Sequence, residues 1–385
     1  MHPSFPPRPV KRGRASVHPS PADRLLWSAG LLAVATLMEG CGEPPSAPSA
    51  PISPAEIGIG AGPVTGAVTA RAVATGYIIK GLGTLPGGTI STAYAVNRTR
   101  QVVGTSQTIG VTGQLETHAF RWSQGTMRDL GNLGPLPAPG RAYSVATGIN
   151  DAGKVVGEAN RPDSAVHAFL WASGVMRDLG TLGGQQSGAA AINATGQVVG
   201  YSTLKAAPGK TPVTRAFLWQ NGHMTDLGAL GGGYSRAFGI NDAGEIVGES
   251  RTADGRIQAF RWSNGHMTAL PPLTGRSSAA AINNSGRIVG TRDKRATVWI
   301  NGTAHLWGPA GEISSAQAVN PTGLVVGTTQ LNGVSRALLW RLGVPSDLPA
   351  ANGGPARGQA YGINAGADVA GVDFAVDHAA LWLRQ

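Results

Sequence analysis

The run SGAAAINATGQVVG at Ser187–Gly200 decides the architecture, because its internal spacing returns six more times along the chain. Asn193 stands seven residues before Gly200. The same interval separates Asn97 from Gly104, Asn150 from Gly157, Asn241 from Gly248, Asn283 from Gly290, Asn320 from Gly327 and Asn364 from Gly371. Successive copies start 37 to 53 residues apart, a period that belongs to repeat architectures.

Each copy reads as four short strands. Ser187–Asn193 and Gln197–Ser202 are the first two, joined by Asn-Ala-Thr-Gly. That tetrapeptide predicts a type I turn begun by the asparagine side chain and closed by a left-handed glycine. Asn320-Pro-Thr-Gly323 agrees, because Pro321 sits where φ near −65° is needed. Asn-Gly pairs at 221–222, 264–265 and 301–302 mark the outer hairpin. Four residues before each asparagine stands Ala (93, 146, 189, 237, 279, 316 and 360), and two before it stands Ala or Gly. A strand so uniformly small on one face suits the crowded axis of a ring. The third strand ends in Trp122, Trp171, Trp219, Trp262, Trp299, Trp340 and Trp382. With the residue two before, each tryptophan makes a period-2 face, predicted to wedge between units at larger radius.

The two ends of the repeat are complementary. Tyr77–Leu85 (YIIKGLGTL) matches an outer strand, whereas His378–Trp382 is a third strand with no fourth behind it. An open solenoid with four strands per turn would not need matching half-units. The expectation is therefore an all-β, seven-bladed β-propeller of four-stranded antiparallel blades, with the N-terminal strand completing the last blade.

The first 75 residues read differently. Arg8, Lys11, Arg12, Arg14 and Arg24 precede the uncharged run Leu25–Met38, at about 21 Å of helix too short to span a bilayer comfortably. A charged leader before a short apolar core is the pattern of an export signal, predicted over residues 1–40. Cys41, the only cysteine, follows in Leu-Met-Glu-Gly-Cys, which resembles the lipobox of bacterial lipoproteins. That resemblance implies lipidation of Cys41 and an anchor in the cell envelope, at the outer membrane or cell surface given Gly42. Met38 and Glu39 depart from the usual lipobox residues, and a chance cysteine after an ordinary cleavage site is the alternative. Residues 41–75, rich in Pro, Ser, Ala and Gly, read as a disordered tether, and 76–385 as the repeat domain. The full chain carries +10. Basic residues are scattered, with no basic run or interleaved aromatics, so no nucleic-acid partner is expected.

The pattern His-Ala-Phe-Leu-Trp at 167–171, with Met-Arg-Asp-Leu-Gly-Thr-Leu-Gly-Gly at 176–184 and Val-Val-Gly in the second strand, resembles the HAF repeat of probable extracellular bacterial proteins. His118–Phe120 carries the three letters too, whereas the fifth to seventh copies depart from them at Arg295, Arg336 and Ala380. The resemblance implies export and a repeat fold and brings no activity with it.

Motifs for chemistry are scarce. Six copies place a serine six residues before the asparagine (Ser91, Ser144, Ser187, Ser235, Ser277 and Ser314), with Gly358 in the seventh. Such a ring of hydroxyls near one channel mouth is a candidate site for a sugar or anion, or a set of inter-blade hydrogen bonds. His305 and Trp307, in the divergent stretch 304–312, are a second candidate or an ordinary surface loop. No His/Cys/Asp cluster has metal-ligand spacing, and no nucleophile elbow, phosphate loop or sialidase-type Asp box occurs. The expectation is a monomeric, membrane-tethered, non-catalytic module without cofactor that binds an envelope protein or a glycan. The rivals are a hydrolase or lyase acting on extracellular polymer at the channel mouth, and a purely architectural envelope protein.

Overall fold

The computed structural model describes residues 71–111, 113–134, 142–308 and 311–385; the segment expected to be an export signal, Cys41 and most of the expected tether lie outside them. The described chain forms seven four-stranded antiparallel sheets. Blades 1 to 6 span Ser91–Asp129, Ser144–Asp178, Gly183–Asp226, Gly231–Ala269, Ser277–Leu306 and Ile313–Asp347. Blade 7 takes three strands from Gly358–Arg384 and its outer strand from Tyr77–Gly81, which pairs antiparallel with His378–Arg384. The seven-bladed propeller with an N-terminal clasp is thus the observed fold.

The residues ahead of that strand dock as well. Ala72 and Ala74 exchange backbone hydrogen bonds with Asp347 at the outer edge of blade 6. Arg71 donates to Asp347 at 3.2 Å and to Glu312 at 2.7 Å. The clasp therefore ties together blades 6 and 7.

The hydrophobic core lies between blades rather than inside any one. Seven clusters fill the seven gaps, and each contains one of the tryptophans: Trp122, Trp171, Trp219, Trp262, Trp299, Trp340 and Trp382. In the gap between blades 1 and 2, Val103, Ala119 and Leu130 meet Ala146, Phe169 and Trp171. Opposite faces of one strand thus serve two gaps: in blade 3 Phe217 and Trp219 fill one, and Ala216 and Leu218 the other.

Every innermost strand carries a β-bulge, as between Ala189 and Ala191 in blade 3. The bulge brings a main-chain carbonyl against the glycine of the second strand. A Cβ on Gly104, Gly157, Gly200, Gly248, Gly290, Gly327 or Gly371 would sit well inside 3.0 Å of that oxygen. Close approach requires the invariant spacing to end in glycine.

The asparagines do more than start turns. Asn193 Oδ1 accepts from the Gln197 amide at 2.9 Å, closing its own turn, while its Nδ2 donates to the carbonyl of Asn241 in the next blade at 3.1 Å. The second bond repeats from Asn97 to Asn150, Asn150 to Asn193, Asn241 to Asn283, Asn283 to Asn320, Asn320 to Asn364 and Asn364 to Asn97, at 2.9–3.3 Å. The seven amides form a closed circle around one mouth of the channel.

Candidate functional site

The serines lie at the other mouth, and each links two blades. Ser187 accepts from the Ala168 amide of blade 2 at 2.9 Å and donates to the Gly180 carbonyl at 2.6 Å. Ser91 bridges Ala379 and Gly83, Ser144 bridges Ala119 and Gly131, and Ser235 bridges Ala216 and Gly228. Ser277 accepts from Ala259 and donates to Gln258, and Ser314 accepts from Ala296. All six are at most 3% exposed. Each hydroxyl accepts from a main-chain amide of the preceding blade, across the gap between them. In blade 7 a Cβ on Gly358 would press on the Val372 carbonyl.

The recurring His and Asp of the third and outer strands also meet. His118 Nδ1 lies 2.6 Å from Asp129, and Asp129 accepts from the Gly131 amide at 2.7 Å. His167 and Asp178 repeat this at 2.9 Å, and Arg336 replaces the histidine against Asp347 at 3.1 Å. Where Asp gives way to Ala269 or Leu306, Gln258 and Arg295 donate instead to the carbonyls of Gly275 and Gly308. Burial lowers the pKa of His118, but the Asp129 hydrogen bond, with the charges of Asp129 and Glu116, outweighs it and raises the value overall. Among the described residues no group of three His, Cys, Asp or Glu is placed to hold a metal. His305 lies on the outermost strand of blade 5, Thr303–Leu306, and Trp307 packs into the core between blades 5 and 6.

One part of the serine-side mouth breaks the repeat. Directly after the second-strand glycine, blades 1, 5 and 6 carry Thr105, Thr291 and Thr328, whereas blades 2, 3 and 4 carry Glu158, Tyr201 and Glu249. Glu158 is 4% exposed and accepts 2.8 Å hydrogen bonds from the hydroxyls of Tyr143 and Tyr201. Gly188 makes room for this pair, since a Cβ there would collide with the Glu158 carboxylate and the Tyr201 ring. Arg236 of blade 4 stacks over Tyr201, 4.3 Å from the ring centroid, and reaches Tyr234 at 5.9 Å. Tyr234 donates to Glu249 at 2.8 Å, and Arg276 of blade 5 stands 3.9 Å from the same carboxylate. Arg251 covers the Tyr234 ring at 5.9 Å. Burial raises the pKa of Glu158 despite its tyrosine donors and Arg236. Burial and Glu158 together raise that of Tyr201.

Carboxylates thus lie at the bottom, with half-buried Tyr143, Tyr201, Tyr234 and Arg236 above them and Arg251 and Arg276 exposed at the rim. The connection Lys205–Val213, between the second and third strands of blade 3, leaves from this mouth. The cluster can stack against a flat or ring-shaped ligand and pair with its polar groups. The substitutions after the glycine in blades 2–4 are visible in sequence, but only the fold shows that they are neighbours.

No family model matches the chain, and no curated protein does. Similar solved structures are a puromycin-hydrolyzing peptidase of Mycobacterium tuberculosis (12% identity, TM-score 0.49, 76% of this chain and 53% of that one) and the β-propeller domain of the Trilobed protease from Pyrococcus furiosus (7%, 0.37, 66% and 96%). A lectin of Aleuria aurantia, solved with Fucα1-6GlcNAc, is similar at 14% identity and TM-score 0.37, over 67% of this chain and 94% of that one. The likeness is one of fold alone. This chain spans about half the length of the peptidase.

Proposed function

We propose that the protein is an exported, non-catalytic binding module, anchored to the bacterial cell envelope through a lipid on Cys41, that presents the serine-side mouth of its propeller to a glycan or protein. The observation that carries this reading is the break in the repeat at blades 2–4. Recurring Asn, Ser and Asp side chains are absorbed in blade-to-blade and turn hydrogen bonds, whereas Tyr143, Tyr201, Tyr234 and Arg236 gather at one mouth and remain half-exposed. Fold does not dictate function, so the reading rests on this cluster and not on the propeller. The leader, the Leu-Met-Glu-Gly-Cys segment and the likeness to HAF repeats support the envelope location.

Screening the full-length protein in detergent against glycans and envelope proteins tests it. Saturable binding without turnover is expected. Turnover of a polymer would favour a hydrolase or lyase, and absence of any binding an architectural role. Cys41→Ser should move the protein out of the membrane fraction; retention there would contradict the lipid anchor.

A further inference from the structure

The binding reading leaves the ligand class open, and the charge distribution at blades 2–4 narrows it. Both carboxylates of the cluster are sequestered: Glu249 is 1% exposed, and Glu158 lies beneath two tyrosine hydroxyls. Burial also biases Glu158 toward its neutral form. The groups that reach solvent are guanidinium groups. Arg276 has 49% of its side chain exposed, Arg251 is exposed, and Arg236 is held by stacking on Tyr201. A ligand entering among these rings therefore meets planar cationic donors, while the exposed carboxylates of the nearby second-to-third-strand turns, Asp163 and Asp254, are paired with Arg161 and Arg256.

Resting on the reading of this mouth as the binding surface, we propose that it takes an acidic pyranose, a sugar ring bearing a carboxylate, with Arg236, Arg251 and Arg276 supplying the counter-charge. A guanidinium pairs a carboxylate through two parallel hydrogen bonds. Tyrosine offers an apolar body to the C–H face of a pyranose and a polar tip to its hydroxyls. At the opposite mouth carboxylates stand beside the basic groups, Asp151 3.6 Å from Arg98 and Asp368 3.0 Å from Arg100. Its carboxylates cap neighbouring turns, Asp151 accepting from the Arg98 amide at 2.8 Å and Asp242 from the Ala194 amide at 2.9 Å.

The test uses the full chain and four probes: a galacturonate oligomer, its methyl ester, a neutral galactose oligomer, and polyglutamate as a polyanion without sugar rings. The galacturonate oligomer should bind at least tenfold more tightly than the other three, and added salt should weaken it. Arg251→Gln, at an exposed position, should reduce that binding several-fold with an unchanged melting temperature, and Arg276→Lys, which keeps a charge beside the buried Glu249, should reduce it as well. Equal binding of the neutral or esterified oligomer would overturn the acidic-sugar assignment while leaving the binding module intact. Equal binding of polyglutamate would overturn the sugar part. If no oligomer binds but an envelope protein does, the ligand class is wrong; if nothing binds, the module reading itself fails.

Discussion

The side-chain amide of Asn364 donates to the main-chain carbonyl of Asn97 at 2.9 Å, joining residues 267 positions apart. It is the same bond that links every other pair of neighbouring blades, so the last blade meets the first as any blade meets the next. A solenoid would leave its first and last turns without this partner.

If the circle is continuous, Asn364→Ala should cost as much as Asn193→Ala. Each change removes a buried amide that satisfies a neighbouring carbonyl and its own turn, so about 1–3 kcal/mol is expected. Urea denaturation of the two variants checks this, and a near-zero cost at Asn364 alone would mean an open ring.

Removing residues 71–81 takes away the outer strand of blade 7 and the Arg71 contacts to Glu312 and Asp347. The melting temperature should fall by about 10 °C or more, given about 2–4 °C per kcal/mol for a domain of this size or somewhat smaller. An unchanged value would show that the clasp does not hold the ring.

Gly290→Ala puts a methyl group against the Ser278 carbonyl, part of the backbone. Relief requires the bulge to move, and a loss of about 1–3 kcal/mol is expected. Ser187→Ala should also destabilise by about 1–3 kcal/mol, because it leaves the Ala168 amide and Gly180 carbonyl unpaired. Ligand binding by the folded Ser187→Ala protein should be unchanged; loss of binding with intact stability would restore the serine ring as a site.

His118 and Asp129 give a pH signature. The raised His118 value contributes stability that is fully present below the unfolded value of 6.5 and lost as pH rises through the folded one. For Asp129 burial raises the pKa, but hydrogen bonds from His118 and Gly131 outweigh it; its stability holds above the unfolded 3.8 and is lost as pH falls through the folded value. The stability difference between wild type and His118→Gln should therefore be largest near pH 5 and shrink toward pH 8. Thermal melts across that range check it, and a difference growing with pH would contradict the pairing.

Much of the ring was legible because its constraints repeat. The Asn-to-Gly interval marks turn and bulge, the tryptophans mark the blade gaps, and Tyr77–Leu85 matches the strand that His378–Trp382 lacks. Two things were hidden. The asparagines' bonds to the next blade join positions that no local pattern pairs. The Glu158–Tyr201–Arg236 cluster draws on three blades, and its members look like ordinary drift within their own copies. Ser91 and its equivalents recur because each accepts a main-chain amide across a blade gap, whereas the proposed site draws on positions where the copies differ.

The central claim is that binding belongs to the serine-side mouth at blades 2–4. The direct measurement compares ligand affinity in Tyr234→Ala, at that mouth, with Arg98→Gln, at the asparagine-side mouth, in the full chain. Loss of at least tenfold in Tyr234→Ala with wild-type affinity in Arg98→Gln is the predicted result. Undiminished binding in Tyr234→Ala, or loss in Arg98→Gln alone, would contradict it.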